Sequence, residues 1–205
     1  VLNMKKLLRI VVVGASGKMG QTLIEQISKD EDLILSAAID QPSCPSIGMD
    51  AGALFGVKTG VLISDNFDSI INNSDYLIDF TRPKASMNYL EGCVKNNIKY
   101  ILGTTGFSDK QKEKISQASN HISICFAPNM SVGVNLLVSL VEQATKTLHK
   151  DFDMEIIESH HSEKIDAPSG TALRLGESIA KVAKLNLNED GVFHREGNMG
   201  KRKKN

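Results

Sequence analysis

Short apolar runs alternate with segments of helical character along much of the chain. The runs predict strands at residues 8–13, 33–39, 76–80, 100–102 and 123–127. Between the first two runs, residues 21–29 have helical character, with apolar side chains at Leu23, Ile24 and Ile27. Strands that alternate with helices are typical of βαβ units, so the pattern predicts an α/β fold with a parallel sheet.

The last third of the chain has a different pattern. Two helices are predicted, at residues 132–148 and 171–185, and the segment MEIIE at 154–158 alternates like a half-buried strand. Pro168 disfavours helix at the residue before it, so the second helix should begin near Ser169 to Thr171. Residues 41–60 are rich in Pro, Gly and Ser and are predicted to form a loop.

Composition and charge narrow the classes of function. A chain of 205 residues with 41% hydrophobic content can bury a core. Lys and Arg number 24, as do Asp and Glu, so the net charge gives no long-range attraction for nucleic acid or an anionic membrane. A small-molecule ligand is therefore favoured over either partner.

The cysteines and the apolar runs indicate a cytoplasmic location. Cys44, Cys93 and Cys125 are scattered without metal-ligand or disulfide spacing, as expected in a reducing compartment. No run reaches the roughly 18 apolar residues that a membrane helix needs. The apolar start follows two lysines like a signal peptide, but Arg9 interrupts it, so a buried first strand is the simpler interpretation.

A glycine-rich loop, GASGKMG, joins the first strand to the first helix. Gly14, Gly17 and Gly20 form a GxxGxxG spacing, which departs from the usual GxGxxG and could serve only the geometry of the turn. The strand and helix around it favour a dinucleotide site, because the helix entrance presents unpaired N–H groups to an anion. Gly14 would allow the tight turn, Gly17 the approach of a pyrophosphate, and Gly20 close packing of helix on strand.

Asp40 ends the second strand about 20 residues beyond this loop, where an acid that binds the adenosine ribose is expected. A carboxylate there repels a 2′-phosphate, and the next residue, Gln41, carries no positive charge. The sequence therefore predicts a preference for NADH over NADPH, which Lys18 could partly offset. An acid at a strand end is also common without any ligand.

Two further segments, GTTGF at 103–107 and APNMSVGVN at 127–135, follow predicted strands. Each could be an ordinary turn. Their repetition at successive strand ends favours a site, because α/β proteins bind ligands beyond the carboxyl ends of their strands.

His160 and His161 precede Lys164 and a helix entrance at Ser169 to Thr171. Two imidazoles, an ammonium and helix N–H groups can hold carboxylates and transfer a proton near neutral pH. Each feature alone could be a surface turn, a solvated charge or a helix cap. A metal site would need Glu158 or Glu163 as a third ligand, and we predict none.

Five stretches in this order resemble the dihydrodipicolinate reductase family of the diaminopimelate and lysine pathway: VVVGASGKMG, DFTRP at 79–83, GTTGF, APNMSVGVN and EIIESHHSEKIDAPSGTA at 155–172. The resemblance implies that a cyclic dicarboxylate, 4-hydroxy-tetrahydrodipicolinate, is reduced with NADH or NADPH. It also implies a Rossmann-like dinucleotide-binding domain at residues 1–130, a substrate and oligomerisation domain with an α+β fold at 131–205, and a homotetramer.

The resemblance also assigns roles to residues. His160 matches the proton donor and Lys164 the catalytic lysine, while the substrate would be bound by His161, Ser169, Gly170 and Thr171. The implied cofactor contacts are Gly14, Ala15, Ser16, Gly17, Lys18, Met19, Asp40, Gly103, Thr104, Thr105, Ala127, Pro128, Asn129 and Met130.

The chain departs from the family at its end, where REGNMGKRKKN takes the place of several further strands and a helix. We therefore expect a truncated substrate domain, for which a tetramer is doubtful, and interpret KRKKN as a solvated tail or the mark of a frame shift rather than as a nucleic-acid site. The true start could be Met4. Two alternatives stay open: a catalytically silent NAD-binding remnant, and another Rossmann oxidoreductase acting on an amino-acid-derived substrate.

Overall fold

The computed structural model describes residues 6–200, except for the side chains of residues 69 and 70. The chain forms two compact units, with the division between Pro128 and Asn129. The division predicted at residues 130/131 lies two residues further along and stays a prediction.

The first unit is an α/β unit with one parallel sheet. Its elements are β1 (Leu8–Val13), α1 (Lys18–Lys29), β2 (Leu33–Ile39), β3 (Ile63–Ser64), α2 (Phe67–Ile70), β4 (Tyr76–Asp79), α3 (Pro83–Asn96), β5 (Lys99–Leu102), α4 (Asp109–Ala118) and β6 (Ile124–Phe126). The strand order is β3-β2-β1-β4-β5-β6, and every pair is parallel. This is the Rossmann order, so the predicted α/β fold class is confirmed.

Strand β1 is buried on both faces because the sheet is covered on both sides. Successive side chains of a strand point to opposite faces. Val11 and Val13 accordingly pack in one apolar cluster with residues of α3 and α4, and Ile10 and Val12 in a second with residues of α1. A strand buried on both faces has a continuous apolar sequence, which is why LRIVVV identified it.

The strand order places a crevice between β1 and β4. The chain passes from β1 outwards to β2 and β3, and then returns to β4 on the other side of β1. The loops after β1 and β4 therefore lead to helices on opposite faces and leave a gap at the carboxyl edge of the sheet. Ligands of open α/β sheets bind at such a switch point.

The second unit contains α5 (Val132–Leu148), α6 (Gly170–Ala183) and the short α7 (Leu187–Asp190). Both predicted helices are present. The Nη2 atom of Arg174 on α6 donates to Oδ1 of Asn135 on α5 at 2.9 Å, which ties the two helices together. Within residues 6–200, no helix combines the length and the hydropathy that a membrane-spanning helix requires.

The predicted strand at residues 154–158 is wrong. Residues 154–158 form no strand, and Ile157 is 92% exposed. A strand is stabilised by hydrogen bonds to a neighbouring strand, and residues 129–200 contain no other strand that could provide them. Alternation of apolar and polar residues describes the faces of a segment but does not supply its partner.

Candidate active site

The glycine loop has the backbone geometry that its spacing predicts. Gly14 has a φ of 68°, a left-handed conformation that glycine adopts without strain. A Cβ atom on Gly20 would lie 2.1 Å from the carbonyl oxygen of Gly14, so only glycine lets α1 start this close to β1. These two glycines bring the entrance of α1 to the carboxyl end of β1.

The entrance of α1 is open to an anion. Its N-cap residue is Gly17, which has no side chain to accept a hydrogen bond from the first turn, and Lys18 and Met19 are exposed. Five helices in residues 6–200 are longer than eight residues, and α4, α5 and α6 each have a serine cap while α1 and α3 have none. The two uncapped helices follow β1 and β4, the strands that flank the crevice. A dinucleotide phosphate would satisfy the N–H groups left free there.

Asp40 lies directly after β2 and contacts the glycine loop. Its Oδ2 atom accepts hydrogen bonds from the backbone N–H of Ser16 at 2.8 Å and from the Ser16 hydroxyl at 2.5 Å. The N–H of Gln41 donates to Oδ1 at 2.8 Å, and the Cys44 thiol donates to the Ser16 hydroxyl at 3.2 Å. The predicted ribose acid and the predicted phosphate loop therefore lie together, with Asp40 fixing the course of the loop.

The loops after β5 and β6 also end at this edge of the sheet. The N–H of Gly103 donates to the Asp79 carbonyl at 2.8 Å, and that of Ala127 to the Leu102 carbonyl at 3.1 Å. The side chain of Thr104 is buried, with 3% exposed, whereas Thr105 is exposed. Of these two predicted cofactor residues, only Thr105 presents its side chain to solvent.

The remaining predicted cofactor residues divide between the two units. Ala127 and Pro128 belong to the first unit, and Asn129 and Met130 to the second. Oδ1 of Asn129 accepts the N–H of Ser131 at 2.8 Å, and its carbonyl oxygen accepts Nδ2 of Asn135 at 3.1 Å. These two bonds fix the turn that leads into α5.

In the second unit, Glu158 joins His160, the predicted catalytic histidine, to the entrance of α6. Its Oε2 atom lies 2.7 Å from Nε2 of His160. Its Oε1 atom accepts the backbone N–H of Ser169, the N-cap of α6, at 2.9 Å. The hydrogen bond from His160, followed by those from Ser169, lowers the pKa of Glu158 to about 2. The carboxylate is therefore ionised near neutral pH and orients the imidazole against the helix entrance.

Lys164 is paired in the same region. Its ammonium donates to Oδ1 of Asp166, and this bond is the main cause that lowers the pKa of Asp166. Nδ1 of His161 accepts the N–H of Glu163 at 3.2 Å, so the ring presents Nε2 as its donor. Gly170 is exposed and Thr171 half-buried at the start of α6. Glu158 thus links His160 to the entrance of α6, while Lys164 pairs with Asp166 in the segment between them.

Glu158 and Asp166 were not predicted to take part in this arrangement. The signal was their spacing: Glu158 lies two residues before His160, and Asp166 two residues after Lys164. In extended chain, residues two apart lie on the same side. Among the described residues, no group of three or more His, Cys, Asp or Glu side chains could hold a metal ion.

Family comparisons agree with these features along the chain. The family model described as "Dihydrodipicolinate reductase, N-terminus" matches residues 8–130, and the model described as "Dihydrodipicolinate reductase, C-terminus" matches residues 133–205. The chain belongs to the dihydrodipicolinate reductase family. The predicted family resemblance is therefore confirmed.

Named members of the dihydrodipicolinate reductase family are similar over nearly all of the chain. A 4-hydroxy-tetrahydrodipicolinate reductase of Nitrosomonas eutropha is 50% identical over 196 residues, which cover 96% of this chain and 73% of the relative. That of Nitrosospira multiformis is 48% identical, with 95% and 72% covered. The solved structure of a dipicolinate-bound dihydrodipicolinate reductase from Paenisporosarcina sp. TG-14 has a TM-score of 0.73 and 28% identity, and covers 96% of this chain and 71% of that one.

Proposed function

We propose that the chain reduces 4-hydroxy-tetrahydrodipicolinate to tetrahydrodipicolinate with NADH or NADPH, a step of diaminopimelate and lysine biosynthesis. The observation that carries the proposal is the link from His160 through Glu158 to the α6 entrance, with Lys164 in the segment between them, in a family whose named members are reductases of this substrate. The dipicolinate bound to the solved relative supports a cyclic dicarboxylate as ligand.

The first unit would hold the dinucleotide. The α1 entrance would take the pyrophosphate and Asp40 the adenosine ribose, so the β4 to β6 half of the sheet would take the nicotinamide nucleotide. When bound, the reduced nicotinamide supplies the hydride. The protein's own part is to hold the nucleotide and to supply the charge and the proton that the substrate needs.

The second unit would hold the diacid and supply that proton. A substrate carboxylate would replace Asp166 at the Lys164 ammonium and accept N–H groups at the α6 entrance. The His160 imidazole, held by Glu158, would donate a proton to the charge that develops on the ring. A hydride and a proton are added, and the 4-hydroxyl leaves together with a hydrogen of the neighbouring ring carbon as water. The sites assigned to individual residues, a homotetramer and a cytoplasmic location stay predictions.

Turnover of the purified chain tests the proposal. Absorbance at 340 nm should fall when NADH and freshly prepared 4-hydroxy-tetrahydrodipicolinate are both present, and should stay constant when either is omitted. NADH binding without substrate-dependent oxidation would instead indicate a silent NAD-binding remnant. Oxidation by a different amino-acid-derived acceptor, with none by this substrate, would indicate another oxidoreductase.

Tighter binding of NADH than of NADPH is expected. The Asp40 carboxylate lies beside the loop at Ser16, where it repels a 2′-phosphate, and Gln41 offers no cation to offset it. We expect dissociation constants that differ on the order of tenfold, which is about 1.4 kcal/mol. Titration of nicotinamide fluorescence with each cofactor measures both constants.

The variant Gln41→Arg provides the matched change. An arginine beside the ribose site should tighten NADPH binding by about the same factor and leave NADH binding close to its original value. Tighter NADPH binding by the original chain would contradict the assigned role of Asp40.

A further inference from the structure

We propose that Asp79, which has no predicted contact with the cofactor, is a positioning residue that sets the loops after β4 and β5, two of the three loops on the nicotinamide side of the crevice. The proposal rests on the proposed function. It deepens that function by naming what holds the cofactor loops in place.

The carboxylate of Asp79 is completely buried and accepts four hydrogen bonds. Oδ1 accepts the N–H of Thr81 at 2.7 Å, the Thr81 hydroxyl at 2.6 Å and the Thr104 hydroxyl at 3.2 Å. Oδ2 accepts the Tyr100 hydroxyl at 2.5 Å. The Ser86 hydroxyl donates in turn to the Thr104 oxygen at 3.1 Å. Every donor in this chain of bonds points towards Asp79.

These bonds join two loops and a helix. Asp79 is the last residue of β4, and Thr81 lies in the loop that follows it. Thr104 lies in the loop after β5, the neighbouring strand, and Ser86 lies in the first turn of α3. The backbone of Asp79 holds the same β5 loop, because its carbonyl oxygen accepts the N–H of Gly103. One residue therefore fixes the chain segments that follow β4 and β5.

The charge of Asp79 indicates a role other than stability. Among residues 6–200, no Lys, Arg or His side chain forms an ion pair with it. A buried carboxylate without a cation costs free energy even when it is hydrogen-bonded. Its negative charge also contributes, after burial, to raising the pKa of Tyr89 to about 12 and that of Cys93 to about 12. An apolar side chain would suit a fully buried position better if packing were the only requirement.

The Thr104 side chain connects Asp79 to the position of the loop after β5. Its hydroxyl both accepts from Ser86 and donates to Asp79, and only 3% of Thr104 is exposed. The β5 loop must therefore meet a ligand through its backbone and through the exposed Thr105. The position of that backbone depends on the anchor beneath it.

Binding of a complete and of a partial cofactor tests the proposal. NADH occupies both halves of the crevice, whereas ADP carries only the adenosine and the phosphates assigned to the β1 and β2 half. In Asp79→Asn, an amide replaces the carboxylate in the same shape and loses one acceptor oxygen. We expect the dissociation constant of NADH to rise about tenfold and that of ADP to stay within about twofold.

Asp75→Asn is the matched control. Asp75 lies directly before β4, at the opposite end of the strand, and is bonded to Arg9 at 3.0 Å. Its loss should lower the unfolding midpoint without changing either dissociation constant. If Asp79→Asn does not fold, Tyr100→Phe removes one donor to the carboxylate and should weaken NADH binding alone, by about threefold.

Equal weakening of NADH and ADP binding in Asp79→Asn, or in Tyr100→Phe if the first variant does not fold, would show a general structural role and overturn the proposal. Unchanged binding of both ligands would also overturn it. Absence of NADH binding by the unaltered chain would instead refute the proposed function, so the two failures are distinguishable.

Discussion

Replacement of Lys164 by alanine is expected to lower kcat/KM several hundredfold, which corresponds to a loss of roughly 3 to 4 kcal/mol of transition-state stabilisation. The ammonium of Lys164 forms an ion pair with Asp166, two residues further along the chain. In the proposed reaction it neutralises a substrate carboxylate and stabilises the charge that develops during proton transfer. Alanine removes both effects and leaves the carboxylate of Asp166 to repel the diacid. Steady-state kinetics at varied substrate and saturating NADH measure the loss.

Lys181→Ala is the control for this prediction. Lys181 is an exposed lysine in the last turn of α6, so its removal changes the net charge of the unit by the same amount. Its kcat/KM should remain close to the original value. NADH binding should be unaffected in both variants, because neither lysine belongs to the first unit. Kinetics unchanged by Lys164→Ala would remove this residue from the mechanism.

The sheet was predictable wherever burial on both faces gave a continuous apolar run. The runs at Leu8–Val13 and Leu33–Ile39 have the predicted bounds. Strand β3 was not predicted, because two residues, Ile63 and Ser64, are too few to show a period. Residues 154–158 show the converse error: they have the alternation of a strand and no neighbouring strand in the described part of the second unit. The local pattern of apolar residues shows which side chains can be buried. The pairing of strands depends on residues that are distant in the sequence.

The residues of the candidate site were predictable where the backbone conformation requires glycine or where the side chain itself carries the chemistry. Gly14 and Gly20 are needed for geometry, and His160 and Lys164 carry their chemistry in their side chains. The acids that hold these groups were not assigned to the site. Glu158 acts through His160 and the α6 entrance, and these contacts exist only after residues 158 and 169 are brought together. Asp79 likewise needs the β4 and β5 ends side by side.

The carboxylates therefore divide into three kinds of role. Asp40 and Asp79 fix loops in the first unit, Glu158 orients an imidazole, and Asp166 occupies the cation that the substrate would use. Each of these acids is bonded to a residue that was predicted to contact the cofactor or to act in catalysis.

Replacement of His160 by glutamine is expected to lower kcat far more than it changes KM. Glutamine can still donate a hydrogen bond to Glu158, so the segment before α6 should keep its course, but an amide cannot give up a proton near neutral pH. Loss of a general acid typically costs about a hundredfold or more in kcat. KM should stay within about threefold, because the proposed carboxylate contacts at Lys164 and the α6 entrance remain.

The control is His149→Gln, which alters a histidine at the C-cap of α5, where Nδ1 lies 2.8 Å from the Thr145 carbonyl oxygen. That variant should retain the original kcat. A rise in KM with kcat unchanged in His160→Gln would assign His160 to binding, and the proton would then have to come from Lys164. Equal losses in both histidine variants would point to a general disturbance of the second unit. The split between kcat and KM thus decides whether the imidazole held by Glu158 takes part in the chemical step.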